Sequence, residues 1–360
     1  MKEELDDSRS AAVEMALEVH DGSVPPLPDA VRVEQLVRKY LAGRESLLRH
    51  RITGGKICDG HGDLQAEDIF CLPDGPRILD CIEFDDRLRA GDVLADVAFL
   101  AMDLQRLGAP DAARRFLSWY REFAGETWPA SLAHHYIAYR AHVRAKVACL
   151  RHGQGDPDAA DQAAGLLNLA RRHLERGQVT LVLVGGLPGS GKSTLAEGLV
   201  DRTGWSLLRS DDIRKDLSGL AHAEPATADY GKGIYDAQMT ATTYREMLRH
   251  AGSLLELGES VILDASWTHE THRDQAAQQA RATSSRFVQL RCTLDKATAA
   301  HRIALRRAAG GDPSDADAEI AARMAELADP WPEAADLDTS ADVPTVLQTA
   351  LVRLHEVEEI

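Results

Sequence analysis

Apolar positions follow helical spacing through most of the first half of the chain. In residues 31–50 they recur at about every third or fourth position, which predicts an amphipathic helix. A short α+β segment covers residues 60–84. Helical spacing then returns in four stretches, at residues 94–107, 112–123, 132–151 and 158–174. The pattern therefore predicts a mostly helical region that extends to about residue 175.

The second half alternates short apolar runs with helical stretches. The predicted strands occupy residues 179–184, 205–208, 261–263 and 287–290. Strands that alternate with helices predict an α/β fold with a doubly wound parallel sheet, which binds ligands at the carboxyl ends of its strands. Gly177 can end the preceding helix and Val179 opens the first strand. We therefore expect two domains, residues 1–176 and 177–360.

The first strand of the second half leads into a glycine-rich loop. Residues 186–193 read Gly-Leu-Pro-Gly-Ser-Gly-Lys-Ser and fit G-x-x-x-x-G-K-[ST], the phosphate-binding loop (P-loop) of nucleotide enzymes. Glycines let backbone N–H groups turn toward phosphates, and the positive end of the following helix adds to this attraction. Lys192 is expected to neutralise β- and γ-phosphate charge, and Ser193 to hold Mg²⁺. The predicted nucleotide-contacting residues are Gly186, Gly189, Ser190, Gly191, Lys192, Ser193 and Thr194.

The net charge of the chain restricts its binding partners, and its cysteines indicate the cellular compartment. The chain has 41 Lys and Arg against 57 Asp and Glu, a formal net charge of −16. Such a charge disfavours nonspecific binding to nucleic acid or anionic lipid, since neither has a basic surface to meet. No signal peptide or membrane-spanning run is recognisable, and five scattered cysteines are typical of a reducing compartment. We therefore expect a cytoplasmic protein with neither a membrane nor a nucleic-acid partner.

Two carboxylates follow the second predicted strand. Residues 209–214 read Arg-Ser-Asp-Asp-Ile-Arg, which places acidic groups at the edge of the sheet where an acceptor hydroxyl would approach. A carboxylate there can accept the hydroxyl proton. Ser and Asp are also preferred at helix N-caps. Both roles can hold, with Asp212 as the cap and Asp211 facing the substrate.

A third carboxylate, Asp264, ends the apolar strand Val-Ile-Leu-Asp. A strand that ends in this way resembles a Walker B element, whose carboxylate orients Mg²⁺ or its waters. The alternative is an ordinary acidic residue at the surface end of a strand. The P-loop upstream favours the metal role.

Three arginines, Arg302, Arg306 and Arg307, precede a loop rich in Gly, Asp and Ser at residues 310–317. A basic helix before such a loop suits a mobile lid that brings an arginine to the transferring phosphate. The alternative is a solvated basic helix face. We expect Arg306 to close from the lid and Arg302 to contact the nucleotide.

Residues 179–340 resemble the small P-loop kinases that phosphorylate hydroxyls, the gluconate kinase, polynucleotide 5′-kinase and zeta-toxin group. The resemblance rests on the P-loop together with Ser-Asp-Asp-Ile-Arg-Lys, Leu-Asp-Ala-Ser-Trp and Ser-Asp-Ala-Asp, all in register. It implies ATP and Mg²⁺ as cofactors. It also implies that Asp211 is the base that activates the acceptor, and that Arg214 contacts the acceptor or the γ-phosphate.

The first half carries a second resemblance, to the aminoglycoside-phosphotransferase type of kinase. Residues 61–68, His-Gly-Asp-Leu-Gln-Ala-Glu-Asp, resemble its H-x-D-x-x-x-x-N catalytic loop, in which Asp is the base and Asn binds metal. Residues 82–85 fall where its metal-binding segment would lie, and residues 91–100 resemble its helical lobe. The fusion of such a helical domain, similar to a kinase C-lobe, to a P-loop kinase is typical of certain bacterial two-domain proteins.

This half departs from the kinase pattern. Asp68 stands where Asn is expected, and Glu83 where Asp is expected. Neither the glycine-rich loop nor the strand lysine of an ATP-clamping lobe is recognisable before His61. We therefore expect this half to have lost kinase activity. His61, Asp63, Asp68 and Glu83 either line the acceptor side or are vestigial parts of a scaffold.

The sequence as a whole predicts an ATP- and Mg²⁺-dependent kinase that acts on a hydroxyl of a small polar molecule. Sugars, aminosugars, nucleosides and antibiotics are the candidate acceptors. One alternative is a nucleic-acid 5′-kinase, which the acidic charge disfavours. Another is a nucleotide-gated regulatory or toxin-like protein, although a pure switch would need no acceptor base. The acceptor, the choice between ATP and GTP, and the oligomeric state stay open.

Overall fold

The structure, a computed structural model, describes residues 28–221, 233–309 and 318–355. The chain divides into two units, Met1–Gln178 and Val179–Ile360. The two domains predicted from the sequence stay a prediction, and their boundary lies two residues before this division.

Helices form most of the described part of the first unit, as the sequence predicts. They are α1 (Pro28–Ala42), α2 (Glu45–Thr53), α3 (Val93–Arg106), α4 (Pro110–Phe123), α5 (Ala130–Gly153) and α6 (Ala159–Arg176). Five of them, α1 and α3 to α6, share one core, to which Val33, Phe99, Ile137 and Leu166 contribute, each at most 5% exposed. Leu47 of α2 belongs to a second cluster. Burial of apolar stripes is the main source of helix stability in proteins.

Two small antiparallel sheets accompany these helices. Strand β1 (Ile57–Asp59) pairs with β4 (Ala90–Asp92), and β2 (Ile69–Leu72) pairs with β3 (Gly75–Ile78) in a hairpin. The hairpin exposes Phe70, Leu72 and Ile78, each about half accessible to solvent. The strands occupy the region that the sequence assigned to a short α+β segment.

A buried ion network fastens the small sheets to the helices. Arg51 of α2 donates Nε and Nη2 to the two carboxylate oxygens of Asp92, at 2.8 and 2.7 Å. Its Nη1 lies 3.3 Å from Glu126, which also accepts from Lys56 Nζ at 2.6 Å. Asp92 in addition caps α3 by accepting from the backbone N–H of Leu94. Each buried charge therefore has a partner, as burial of charge requires.

The second unit contains a five-stranded sheet that is parallel throughout. Its strands are β5 (Thr180–Gly185), β6 (Ser206–Arg209), β7 (Val261–Asp264), β8 (Arg286–Thr293) and β9 (Ala335–Asp338). They lie in the order β6-β7-β5-β8-β9. Strand β5, which leads into the P-loop, is central and completely buried. The predicted α/β class with a parallel sheet is confirmed.

Helices cover both faces of this sheet. The described ones are α7 (Lys192–Thr203), α8 (Ser210–Leu217), α9 (Ala237–Glu256), α10 (Glu270–Ala282), α11 (Lys296–Ala309), α12 (Ala318–Glu326) and α13 (Val343–His355). Helices α7 and α13 share a core with Val182 and Val184 of β5. Successive residues of a strand face opposite sides of the sheet. Leu181 and Leu183 of β5, which are as buried as Val182 and Val184, therefore face the opposite side of the sheet. Helices α9 and α10 contribute to the layer on that side.

Several helix boundaries differ from those that the apolar pattern predicts. The single helix predicted at residues 31–50 is divided into α1 and α2. In the second half the pattern predicts helices at residues 213–217 and 229–257. Helix α8 begins at Ser210, because its acidic first turn lacks the apolar periodicity on which the prediction relied. Helix α9 begins at Ala237, whereas the prediction began at residue 229. Residues 229–232 of that prediction lie outside the described part of the chain.

Candidate active site

The P-loop leaves the central strand β5 and ends in the first turn of α7. Gly186, Gly189 and Gly191 have φ angles of 143°, 80° and 85°, which side chains rarely tolerate. A Cβ at Gly186 would lie 2.7 Å from the carbonyl oxygen of Cys292. A Cβ at Gly189 would lie 2.7 Å from the carbonyl oxygen of Ala299. Backbone shape therefore favours glycine at all three positions, and lack of space also requires it at Gly186 and Gly189.

Contacts from neighbouring segments hold the loop. Gly186 N donates to the carbonyl oxygen of Ser266 at 3.3 Å. Thr339 Oγ1 donates to the carbonyl oxygen of Ser190 at 2.7 Å. Just before the loop, Gly185 is packed against the indole of Trp331, whose ring atoms fill the space that a Cβ would need. These contacts fix the backbone of the loop at its start and in its middle. A fixed backbone of this kind can present its amide N–H groups to an anion.

Asp264 lies at the end of β7, beside the P-loop strand. Its side chain is only 5% exposed, and within the described residues its Oδ1 has no hydrogen-bond partner. The Ser193 side chain and the charge of Lys192 both act on the ionisation of its carboxylate. Burial raises the pKa of Asp264, whereas Lys192 and Ser193 oppose that rise. The predicted metal residues Ser193 and Asp264 are therefore brought together.

These residues fit a magnesium ion. Mg²⁺ keeps several waters and is usually held by one or two carboxylates plus substrate phosphates. The buried, unpaired oxygen of Asp264 beside the Ser193 hydroxyl supplies that kind of ligand. Within the described residues there is no cluster of three or more His, Cys, Asp or Glu that could hold a metal.

Asp211 and Arg214 face each other in the first two turns of α8. Arg214 Nη1 donates to Asp211 Oδ1 at 2.9 Å, and the guanidinium carbon lies 4.9 Å from the ring centre of Tyr235. The Arg214 side chain is 9% exposed, that of Asp211 28%. The charge of Asp211 contributes to the raised pKa of Asp264. The predicted acceptor base and the predicted metal carboxylate therefore share one site.

The predicted capping role of Asp212 is wrong. The N-cap position of α8 is Arg209, which makes no side-chain cap bond, and Asp211 and Asp212 both lie inside the first turn. Carboxylates at that position still stabilise a helix, because they lie near the positive end of its dipole.

Arg302 of α11 lies beside the P-loop. Its Nη2 donates to the carbonyl oxygen of Thr339 at 2.9 Å. Its Nη1 would lie 3.5 Å from a Cβ placed on Gly191. The structure thus brings Arg302 close to the P-loop, as the sequence predicts. The side chains of Arg306 and Arg307 and the loop 310–317 lie outside the described residues.

Three contributors to this site were missed by the sequence analysis. Thr339 follows the last strand in Leu-Asp-Thr-Ser, a pattern that could have indicated a loop at the carboxyl edge of the sheet. Arg209 pairs in register with Asp264 on the neighbouring strand, and its Nε lies 3.8 Å from Asp264 Oδ2. Tyr244 of α9 lies under the turn after Asp264 and carried no signal in the sequence, because it reads as an ordinary core aromatic.

The loop at His61 in the first unit is fixed by Asp96 of α3. The Asp96 carboxylate accepts from the backbone N–H groups of His61 and Gly62, at 2.5 and 2.8 Å. The Asp63 carboxylate accepts from Gln65 Nε2 at 3.1 Å and lies 3.7 Å from Arg144 Nη1. The loop is therefore held by carboxylate–amide bonds, and its candidate base is already engaged.

Asp68 lies in the same acidic neighbourhood. Burial raises its pKa, the charges of Glu67, Asp80 and Asp63 add to that rise, and His61 opposes it. Asp80, which the sequence analysis did not single out, has a φ of 65°. Glu83 is solvent-exposed. The resemblance of this half to aminoglycoside phosphotransferases stays a prediction.

The second unit matches a known protein family in part of its length. The family described as AAA domain matches residues 181–331. Two uncharacterized proteins, from Mycobacterium tuberculosis and Mycobacterium bovis, are 45% identical to the chain over 311 residues, which is 86% of this chain. The chain spans 61% of the length of these relatives.

Solved structures of two kinases resemble about half of the chain. A gluconokinase from Sinorhizobium meliloti is 17% identical, with 50% of this chain and 93% of that one covered and a TM-score of 0.36. The APS kinase of Mycobacterium tuberculosis, in complex with AMPPNP and APS, is 20% identical, with coverages of 50% and 99% and a TM-score of 0.36.

Two further observations concern membranes and disulfides. Among the helices of residues 28–221, 233–309 and 318–355, none combines the length and the apolarity that a membrane crossing needs. All five cysteines lie in the described residues, and each is a free thiol.

Proposed function

We propose that the chain is an ATP- and Mg²⁺-dependent phosphotransferase that moves the γ-phosphate to a hydroxyl of a small polar acceptor. The arrangement of the sheet supports this proposal. Its strands are parallel, and their carboxyl ends carry the P-loop, Asp264 and Asp211. Folds of this kind bind ligands at that edge. The observation that carries the proposal is the buried Asp264 Oδ1, which has no hydrogen-bond partner among the described residues. The carboxylate lies within electrostatic reach of Asp211 and Lys192.

The P-loop residues bind the nucleotide in this proposal. The loop amides face the phosphates, and Lys192 neutralises charge on the β- and γ-phosphates. Arg302, held by Thr339, lies on the same side of the loop. Ser193 and Asp264 would hold Mg²⁺, which when bound neutralises charge that develops on the transferring phosphoryl group.

Asp211 accepts the proton of the acceptor hydroxyl. The acceptor oxygen forms a bond to the γ-phosphorus, the bond to the β,γ-bridging oxygen breaks, and ADP leaves. Arg214 orients Asp211 through the 2.9 Å hydrogen bond and contacts the acceptor or the γ-phosphate. In such reactions positioning and electrostatic stabilisation provide most of the catalysis. Arg306 remains the proposed lid residue.

The acceptor is proposed to be a sugar, an aminosugar, a nucleoside or an antibiotic. A formal charge of −16 argues against a polyanionic acceptor such as DNA or RNA. A cytoplasmic location, with its nucleotide supply and reducing conditions, fits this activity and the free cysteines.

The proposal is tested by γ-phosphate transfer from ATP and Mg²⁺ to a panel of sugars, aminosugars, nucleosides and antibiotics. A mass gain of one phosphoryl group identifies the acceptor. The Lys192→Ala variant is the control, and it should lose turnover while keeping its fold. Transfer that persists fully in this variant would remove the P-loop from the mechanism.

Two other outcomes would change the assignment. Transfer to the 5′ end of a DNA or RNA oligonucleotide, at a rate that falls steeply with salt, would indicate a nucleic-acid 5′-kinase. ATP binding without transfer to any acceptor would indicate a nucleotide-gated regulatory protein.

A further inference from the structure

The turn that follows Asp264 has an unusual backbone. Trp267, three residues after the proposed metal carboxylate, has a φ of 53° and is completely buried. A bulky residue with positive φ is an outlier, and such a conformation is energetically unfavourable. It persists only where surrounding contacts enforce it, and such residues cluster at functional sites.

Three hydrogen bonds hold Trp267 in this conformation. Its backbone N–H donates to the hydroxyl of Tyr244 at 3.3 Å. Its carbonyl oxygen accepts from Arg273 Nη1 at 2.9 Å, and its indole Nε1 donates to the carbonyl oxygen of Leu263 at 3.3 Å. The turn is therefore anchored from α9, from α10 and from the strand that precedes it.

The same turn touches the start of the P-loop. The carbonyl oxygen of Ser266 accepts from Gly186 N at 3.3 Å. The Ser266 hydroxyl lies 3.2 Å from the hydroxyl of Tyr244. The Tyr244 hydroxyl thus contacts the turn at two successive residues, one of which bonds to the first glycine of the P-loop.

Packing fixes Tyr244 itself. Its side chain is nearly inaccessible, and its ring stacks on His272 with centroids 4.0 Å apart and planes 4° apart. Trp267 meets the same ring edge-on at 5.0 Å. Burial raises the pKa of Tyr244, so its hydroxyl keeps its proton at neutral pH. A rigid, protonated phenol is suited to hold a backbone in place.

We infer that Tyr244 is a positioning residue for phosphoryl transfer, whose hydroxyl holds the strained turn at 264–268 so that Asp264 and Gly186 keep their places in the site. The inference rests on the proposed function. In this role Tyr244 acts through its contacts with Ser266 and Trp267 of the turn. Loss of the hydroxyl should let the turn relax, which displaces the carboxylate of Asp264 relative to the P-loop.

The test is Tyr244→Phe, which removes the hydroxyl and keeps the ring contacts with His272 and Trp267. We expect kcat to fall by about tenfold and the Kd for MgATP to rise severalfold, with KM for the acceptor nearly unchanged. Tyr136→Phe is the matched control. Tyr136 donates to Asp92 in the first unit at 3.3 Å, and its loss should leave kcat and MgATP binding as in the wild type.

A second variant, Ser266→Ala, removes the other partner of the phenol and decides the question if Tyr244→Phe does not fold. We expect a smaller loss of kcat with the same rise in Kd. Wild-type kcat and MgATP affinity in a folded Tyr244→Phe protein would overturn the inference. Full turnover in Lys192→Ala would instead refute the proposed function, so the two failures are distinguishable.

Discussion

Arg214 Nη1 donates a hydrogen bond to Asp211 Oδ1 at 2.9 Å, from a position one turn later on the same helix. The arginine is buried and its guanidinium lies against the ring of Tyr235, whereas Asp211 keeps part of its side chain accessible. One carboxylate oxygen is therefore occupied and oriented. The other can accept from an incoming hydroxyl.

Replacement of the Asp211 carboxylate should lower the rate of phosphoryl transfer more than the affinity for MgATP. We expect Asp211→Asn to lower kcat by about 100-fold or more, because an amide cannot accept the hydroxyl proton. MgATP affinity, measured by titration, should stay within about twofold of the wild type. Asp212→Asn, one residue away in the same helical turn, is the control and should keep most of the turnover. An unchanged kcat in Asp211→Asn would exclude its role as the base.

The metal requirement should depend on Asp264. We expect turnover to vanish when EDTA removes divalent cations, and Asp264→Asn to raise the Mg²⁺ concentration at half-maximal rate by about tenfold or more, because Mg²⁺ prefers carboxylate ligands. Asp338→Asn alters an exposed carboxylate at the end of β9 and serves as the control. A Mg²⁺ dependence that Asp264→Asn leaves unaltered would contradict the ligand assignment.

Gly189 and Gly204 have similar backbone angles, so their alanine variants can distinguish the effect of backbone strain on stability from an effect on MgATP binding. Gly189 has a φ of 80° and no room for a Cβ, whereas Gly204, after α7, has a φ of 71° and nothing within 4 Å. Each change to alanine should cost about 1 kcal/mol through backbone strain. Only Gly189→Ala should also weaken MgATP binding, by about tenfold or more, since its Cβ would push against the backbone beside the P-loop. Equal MgATP affinities in the two variants would argue against this account.

Stability should fall with acidity because of a histidine pair in the first unit, in which His173 is buried and His134 is half-buried. His134 Nδ1 lies 2.8 Å from His173 Nδ1, and burial lowers the pKa of His134 to about 4 and that of His173 to about 3. The unfolded chain takes up protons near pH 6.5, so stability is lost as the pH falls from about 6.5 toward 4. One such histidine contributes a loss of about 2 kcal/mol at pH 5.

Thermal unfolding between pH 7.5 and 5 measures this effect. We expect the pH dependence of Tm to become shallower in His173→Gln, while His50→Gln, an exposed position, should keep the wild-type slope. The same slope in all three proteins would show that the histidine pair is not its source.

The His61 loop should be dispensable for turnover. Asp63 is already engaged by Gln65 and Arg144, which suits a structural role better than that of a free base. We therefore expect Asp63→Asn and Glu83→Gln to keep kcat within about twofold of the wild type. Loss of activity in both variants with MgATP binding intact would instead place this loop on the acceptor side.

The P-loop and four strands of the five-stranded sheet could be predicted because their signals are local. Strand β9, which has one buried residue, was not predicted. Gly186, Gly189 and Gly191 occur at the spacing that one short loop demands, and an apolar run before them indicates a buried strand. Asp211 and Asp264 could be chosen for a related reason. Parallel strands end at one edge of their sheet, so carboxylates that follow two strands meet there even though they are far apart in the sequence.

The rest of the site depends on packing between distant elements. Tyr244 reaches Ser266 from a helix 22 residues earlier, and Thr339 reaches the P-loop across 149 residues. Such contacts follow from helix rotation and strand register, which apolar periodicity does not specify. The network of Arg51, Asp92 and Glu126 was missed for the same reason, since charged residues read as surface until their burial is known.

The indole of Trp331 against Gly185 gives the protein an optical reporter of its own. The ring is 4% exposed, its Nε1 donates to Gln289 Oε1 at 2.9 Å, and it lies at the base of the P-loop. Trp267, in the turn after β7, approaches Gly185 as well. Indole emission depends on local packing and polarity, so Trp331 can report on the conformation at the base of the P-loop in the unlabelled wild-type chain.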